Sequence, residues 1–153
     1  MLAESNIRLA TADDAARIAI LSRDHVEHGL GWGWTPPRVL ASIRDRATNV
    51  AVAYDNTELS GFGIMKYRDD EAHLNLLAVH PAQHRRGIGT ALVRWLETSA
   101  LTAGIGLITV EARVSNTIAR AFYRKLGYRE MALLPRYYSG REDALRIAKD
   151  LWA

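Results

Sequence analysis

A chain of 153 residues, 48% hydrophobic and 24% charged, has enough apolar side chain for one sizeable core and too much for a disordered polymer. It contains no cysteine, which excludes disulfides, thiolate zinc sites and a cysteine nucleophile. A net charge of +3 is small for a dedicated nucleic-acid binder, and no apolar run reaches the ~18 residues of a membrane span. Residues 1–8 lack the build of a secretory signal. The expectation is a single domain over 1–153, cytoplasmic, with neither nucleic-acid nor membrane partner, as a monomer or homodimer.

In chain order, Ile7, Arg8 and Leu9 read as a first strand. Thr11 offers an N-cap oxygen, Asp13 and Asp14 favour a first helical turn, and Ala15, Ile18, Ala19 and Val26 carry helical spacing to about His28. The chain breaks over 29–35, where glycine and tryptophan alternate at 31–34, and Pro36 and Pro37 then suit the first turn of a second helix through Val39, Leu40 and Ile43. Strands are expected over 50–54, 59–67 and 72–79, separated by turn residues. A long helix over 87–103 has Ile88, Leu92, Trp95, Leu96 and Ser99 on its apolar stripe, with Arg94 and Glu97 off it. A strand over 108–112 follows. A helix over 116–126 places Ile118, Ala119, Phe122 and Leu126 on one side. Strands over 128–134 and 144–149 close the chain around a connection at 135–143. This order predicts a mixed α/β sandwich.

The segment between the strand over 72–79 and the long helix has a direct physical meaning. A helix N-terminus presents unpaired N–H groups and partial positive charge, and glycine lets a phosphate approach that backbone closely. Gln83-His84-Arg85-Arg86-Gly87-Ile88-Gly89-Thr90 therefore reads as a pyrophosphate cradle. The basic residues Arg85 and Arg86 are either a solvated patch or counter-charge for such a ligand. The run lacks the third glycine of a dinucleotide-binding loop and the Gly-Lys-Ser/Thr of a P-loop.

Taken from the preceding Leu77-Ala78-Val79, the run resembles the coenzyme A signature of the GNAT acetyltransferase superfamily, with His84 where that family usually has Gln or Arg. The resemblance implies acetyl-CoA as the cofactor and coenzyme A as the product. It implies Leu77, Ala78 and Val79 for the pantetheine arm, and Arg85, Arg86, Gly87, Ile88, Gly89 and Thr90 for the pyrophosphate. It also implies a three-layer sandwich whose central mixed, mostly antiparallel sheet splays into a V between flanking helices.

Asn116, Ala119 and Phe122-Tyr123, followed by Leu126-Gly127-Tyr128, resemble the second signature of the same family. The resemblance implies Asn116 on the cofactor arm and Tyr123 as the general acid beside the thioester sulfur. A tyrosine of ordinary pKa ~10 and a thiol of ~8.5 suit that exchange. Glu111, at the end of an apolar strand, reads by itself either as a base or as an outward carboxylate paired with Arg113 or Arg129. No metal site is expected: His25, His28, His73 and His80 make no ligand set.

Tyr137-Tyr138, a glycine-containing turn and Glu142-Asp143-Ala144 resemble the C-terminal hairpin of N-terminal protein acetyltransferases, nearest to the bacterial ribosomal-protein-alanine enzymes. Those carry an acidic base twelve residues before the tyrosine acid, which is Glu111 here. The resemblance, which spans 74–148, implies that Tyr137 and Tyr138 frame the acceptor. Trp32 and Trp34 either stack on a substrate or pin their own loop. The expected activity is acetyl transfer to a primary amine, foremost the α-amine of a protein or peptide N-terminus. The alternatives are a small-molecule amine acetyltransferase and a non-catalytic coenzyme A binding module.

Overall fold

The computed structural model describes residues 6–27, 31–138 and 140–153; His28 and the side chain of Arg85 lie outside the described part. The strands β1 (Ile7–Leu9), β2 (Thr48–Asp55), β3 (Glu58–Tyr67), β4 (Ala72–Val79), β5 (Leu107–Arg113), β6 (Arg129–Tyr138) and β7 (Glu142–Asp150) form one sheet in the order β1-β2-β3-β4-β5-β7-β6. The helices are α1 (Ala15–His25), α2 (Pro36–Arg44), α3 (Ile88–Thr102) and α4 (Thr117–Lys125). Every pairing is antiparallel except β4 with β5. The mixed three-layer sandwich expected from the sequence is the architecture found.

Alternation along the strands divides the core. Val50, Val52, Phe62 and Ile64 pack under α1 and α2 with Ile18, Ala19 and Val39. Ala51, Ala53, Met65, Leu74, Ile108, Val110 and Ile147 face α3 and α4 with Leu92, Leu96 and Tyr123. Two-sided burial explains why β2 and β3 read as near-continuous apolar runs.

Two irregularities open the sheet at its centre. Ile64 pairs with Leu76 while Met65 pairs with Leu74, so Asn75 is an extra residue in β4. The bulge flips the faces: Leu74 points to α3, whereas Leu76 and Ala78 point to α1 and α2. Just there the parallel pairing of β4 with β5 ends, at Leu74 opposite Val110. Beyond it β4 stays with β3 and β5 with β7, and a V-shaped cleft separates them.

Four details depart from the sequence reading. The first helix begins as a 3-10 turn, Ala12–Asp14, and α1 ends at His25 rather than near residue 28. Asp14 turns back to accept from the Thr11 N–H at 2.8 Å, from Arg8 Nη1 at 2.8 Å and from the Tyr54 hydroxyl at 2.6 Å. Glu97, expected off the apolar stripe, is buried because it shares a face with Val93, Leu96 and Ala100. Its carboxylate accepts from Tyr128 Oη at 2.9 Å and Lys149 Nζ at 3.1 Å. Ile118, expected on the buried side of α4, is 83% exposed. The buried stripe is Ala119, Phe122, Tyr123 and Leu126, and Ile118 is one helical step outside it. Finally, β6 continues through Pro135 to Tyr138 with an irregular register after Leu134 and a left-handed Arg136 at φ +50°. The expected connection at 135–143 is mostly strand.

Candidate active site

The half of the cleft that follows β4 is built from backbone. After β4 the chain forms a 3-10 turn, Pro81–Arg86, where a loop was expected. His80 Nδ1 accepts from the Ala82 N–H at 3.1 Å, and His84 Nε2 donates to the Val79 carbonyl at 2.9 Å. Gly87 then adopts φ +75°, which reverses the chain into α3 and favours glycine. The first hydrogen bond of the helix runs from the Ala91 N–H to the Gly87 carbonyl, 3.0 Å. The N–H groups of Ile88, Gly89 and Thr90 therefore have no acceptor within the helix. A Cβ on Gly89 would lie 3.3 Å from the Phe122 ring and 3.4 Å from Val79. The Ile88 side chain is in the core, so any contact it makes with a ligand comes from its backbone. Arg86 Nη1 is held by Gln83 at 2.9 Å and Asp55 at 3.3 Å.

Leu77, Ala78 and Val79 line the cleft along the edge of β4 that β5 has left. Opposite them, Asn116 N-caps α4, its side-chain oxygen accepting from the Ala119 N–H at 3.0 Å. Two turns further, Tyr123 lines the same cleft, which encloses about 640 Å³. Tyr123 is buried, and burial together with the neighbouring Tyr138 holds its hydroxyl well above the ordinary tyrosine pKa. It stays protonated and can act as a proton donor.

Glu111 sits where β4 and β5 part, on the face of β5 that also carries Thr109 and Arg113. Its side chain is 5% exposed. Oε1 meets His73 Nε2 at 2.5 Å and the Tyr137 hydroxyl at 3.2 Å, and Oε2 accepts from Arg146 Nε at 3.2 Å. His73 is in turn hydrogen-bonded through Nδ1 to Asn75 Oδ1. Burial disfavours the charge on Glu111, but the hydrogen bond from His73, its positive charge and Arg146 outweigh burial and hold the carboxyl below its ordinary pKa. Burial likewise opposes the charge on His73. Glu111 and Asn75 outweigh that, and the imidazole lies above its ordinary value.

The Arg113 or Arg129 partnership considered for Glu111 does not form; Arg146, its directly paired neighbour on β7, takes that place. Asn75 and Arg146 escaped the sequence reading, and His73 entered it only as a histidine outside any metal site. The missing signal was the parallel β4/β5 register, which sets His73 beside Thr109 and one alternation from Glu111.

The other wall comes from the α1–α2 connection and the β6–β7 hairpin. Tyr138 lines the cleft beneath Arg113, whose guanidinium carbon is 5.7 Å from the ring centre. Arg113 Nη2 also donates to the Val26 carbonyl at 3.1 Å and ties this wall to β5. Trp34 lines the cleft, with the Arg38 guanidinium 3.8 Å from its ring centre. Trp32 points back to α1, donating to the Ala19 carbonyl at 3.2 Å beneath Arg23. Among the described residues, no group of three or more histidines and carboxylates is set to hold a metal ion, and no helix is long and apolar enough to cross a membrane.

Comparison with known proteins is consistent with this layout. Residues 18–128 match the model of the acetyltransferase (GNAT) family. The chain is 32% identical, over 92% of its own length and 93% of the other, to the [ribosomal protein bS18]-alanine N-acetyltransferase of Escherichia coli K12. The crystal structure of the ribosomal-protein-S18-alanine N-acetyltransferase from Escherichia coli superposes with a TM-score of 0.81 at 28% identity, covering 95% of this chain and 92% of that one. Ard1 from Thermoplasma volcanium superposes at 0.85 with 24% identity, covering 95% and 96%.

Proposed function

The chain belongs to the acetyltransferase (GNAT) family and is an acetyl-CoA-dependent N-acetyltransferase, and from that premise we propose that its acceptor is the α-amine of a protein or peptide N-terminus. The observation that carries this reading is Glu111, an ionised carboxylate at the parting of β4 and β5, within hydrogen-bond reach of Tyr137 on the hairpin. The likeness to an enzyme that acetylates a ribosomal protein's N-terminal alanine supports it.

In this reading the N–H groups of Ile88, Gly89 and Thr90, which have no acceptor within α3, receive the pyrophosphate at the positive end of that helix. Arg86 supplies counter-charge, and the exposed edge at Leu77, Ala78 and Val79 pairs with the pantetheine amides. Asn116 holds the start of α4 against the same arm. The bulge at Asn75 leaves backbone N–H groups beyond the last β5 pair, available to polarise the thioester carbonyl.

The amine nitrogen attacks the acetyl carbonyl carbon and the carbon–sulfur bond breaks. Glu111 takes the proton lost by the nitrogen, and Tyr123 gives its hydroxyl proton to the departing sulfur. Tyr137 and Tyr138 frame the amine, with Trp34 on the facing wall. Trp32 supports that wall from behind.

The modest base strength of Glu111 fits the acceptor. An α-amine of pKa ~7.7–8.0 is roughly a third neutral near pH 7.5, while a lysine of ~10.4 is neutral in about one molecule in a thousand. That difference is worth roughly 3 kcal/mol, which an α-amine does not require of the enzyme. The small-amine alternative drew on Trp32 and Trp34 as stacking groups. With Trp32 turned to α1 and the Trp34 face taken by Arg38, it has less support. Turnover of acetyl-CoA against matched panels of N-terminal peptides and free amines tests the choice: the reading expects turnover of peptides, and turnover confined to free amines rejects it.

A further inference from the structure

The charged groups lining the cleft differ in one respect that bears on the acceptor. Glu27 is engaged through both oxygens: Oε1 accepts from the Gly33 N–H at 2.5 Å and the Trp34 N–H at 3.0 Å, and Oε2 from Ser22 Oγ at 2.8 Å. Glu111 is engaged by His73, Tyr137 and Arg146. Arg113 has Glu142 at 3.4 Å. Arg38 has only the Gly33 carbonyl, at 3.4 Å, and among the described residues no carboxylate lies within ion-pair distance of it.

Arg38 is nonetheless held in place. Its guanidinium lies on the Trp34 ring, and its backbone is in the first turn of α2 behind Pro36 and Pro37, which fix that turn. The Trp34 end of the stack is itself fixed by the two backbone bonds to Glu27. A stacked arginine keeps the edge of its fork available for a planar anion, and its preorganisation lowers the entropy cost of binding one.

We propose that Arg38 is a specificity-determining residue that reads a carboxylate on the acceptor, namely an Asp or Glu side chain within the first three residues of the N-terminal segment. A basic side chain in the same place finds both cleft carboxylates already engaged through both oxygens and meets Arg38 as a like charge. This assignment rests on the cleft being the acceptor site, and it narrows that site to acidic N-terminal sequences.

Steady-state kinetics on peptides that differ only at the second and third residues, carrying Asp, Asn or Lys there, test it. For the wild type, kcat/KM for the Asp peptides is expected to exceed that for the Asn peptides by about ten-fold, through KM, with the Lys peptides poorest. Arg38→Ala brings the Asp-to-Asn ratio close to one, and Arg38→Glu reverses the order of Asp and Lys. The KM for acetyl-CoA, measured alongside, stays near wild type and reports a folded cofactor half. An Asp preference that survives in Arg38→Ala, or a wild type indifferent to the three peptides, overturns the assignment. If free amines are acetylated and peptides are not, the N-terminal reading fails separately. Glycine compared with glycinamide then decides Arg38: a carboxylate preference lost in Arg38→Ala supports its role, and no preference overturns it.

Discussion

His73 Nε2 and Glu111 Oε1 lie 2.5 Å apart on the two strands that separate immediately beyond them. Each group moves the other in the expected direction, His73 above its ordinary pKa and Glu111 below. Below the raised His73 value the pair is a closed ion pair. As pH rises through that value the imidazole loses its proton while Glu111 remains ionised, and the pair can then accept a proton from the amine. We therefore expect kcat/KM to rise with pH through a transition above the 6.5 of an ordinary histidine. His73→Gln removes that transition and leaves the titration of the acceptor amine. A pH–rate profile with the limb unmoved in His73→Gln would take His73 out of the proton path.

The same pair makes a stability statement with a defined sign. The contribution of His73 is complete below its ordinary value and is lost as pH rises through the raised one. That of Glu111 is present above its ordinary 4.5 and is lost as pH falls through the lowered one. The destabilisation caused by His73→Gln, about 2 kcal/mol for a charge-assisted bond, is expected to be largest between pH 4.5 and pH 6.5, the ordinary values of the two groups, and to shrink from there up to the raised His73 value. It should fade on the alkaline side. Urea denaturation at a series of pH values measures this.

Tyr123→Phe keeps the buried ring and removes only the hydroxyl. Turnover is expected to fall by about 10²–10⁴, the range for loss of a general acid, while acetyl-CoA affinity and Tm stay near wild type. Isothermal titration with acetyl-CoA separates the two effects. Retained turnover would leave the sulfur to take its proton from solvent.

Gly87 and Gly89 are needed for different reasons, and substitution distinguishes them. At Gly89 a Cβ meets Phe122 and Val79 within 3.4 Å at the mouth of the cradle. Gly89→Val is therefore expected to raise the KM for acetyl-CoA at least ten-fold. At Gly87 there is open space but a φ of +75°. Gly87→Ala is expected to cost about 1 kcal/mol of stability and to change KM less. Equal effects on KM at the two sites would contradict a cradle formed by backbone approach at Gly89.

How much of this was legible beforehand depended on whether a feature is local. The glycine turn before α3, Asn116 and Tyr123 lie in short contiguous runs, so the chain displays them directly, although the capping role of Asn116 appears only in the fold. The β4/β5 splay is non-local. It depends on the bulge at Asn75 and on which strand neighbours which, and His73 and Arg146 became visible beside Glu111 only with that register. Glu97 shows the same limit: its partners Tyr128 and Lys149 arrive from distant segments, and an apolar stripe cannot announce a buried carboxylate that is already satisfied. Ile118 erred the other way, one helical step outside a stripe that the sequence had drawn too wide.

The most direct test of the proposed acceptor is the site of modification on one peptide that carries both a free α-amine and a lysine side chain. After brief turnover with acetyl-CoA near pH 7.5, tandem mass spectrometry locates the acetyl group. Acetyl on the α-amine, with the lysine unmodified, is the expected result. Acetyl on the lysine with the α-amine free would contradict both the acceptor and the role given to Glu111.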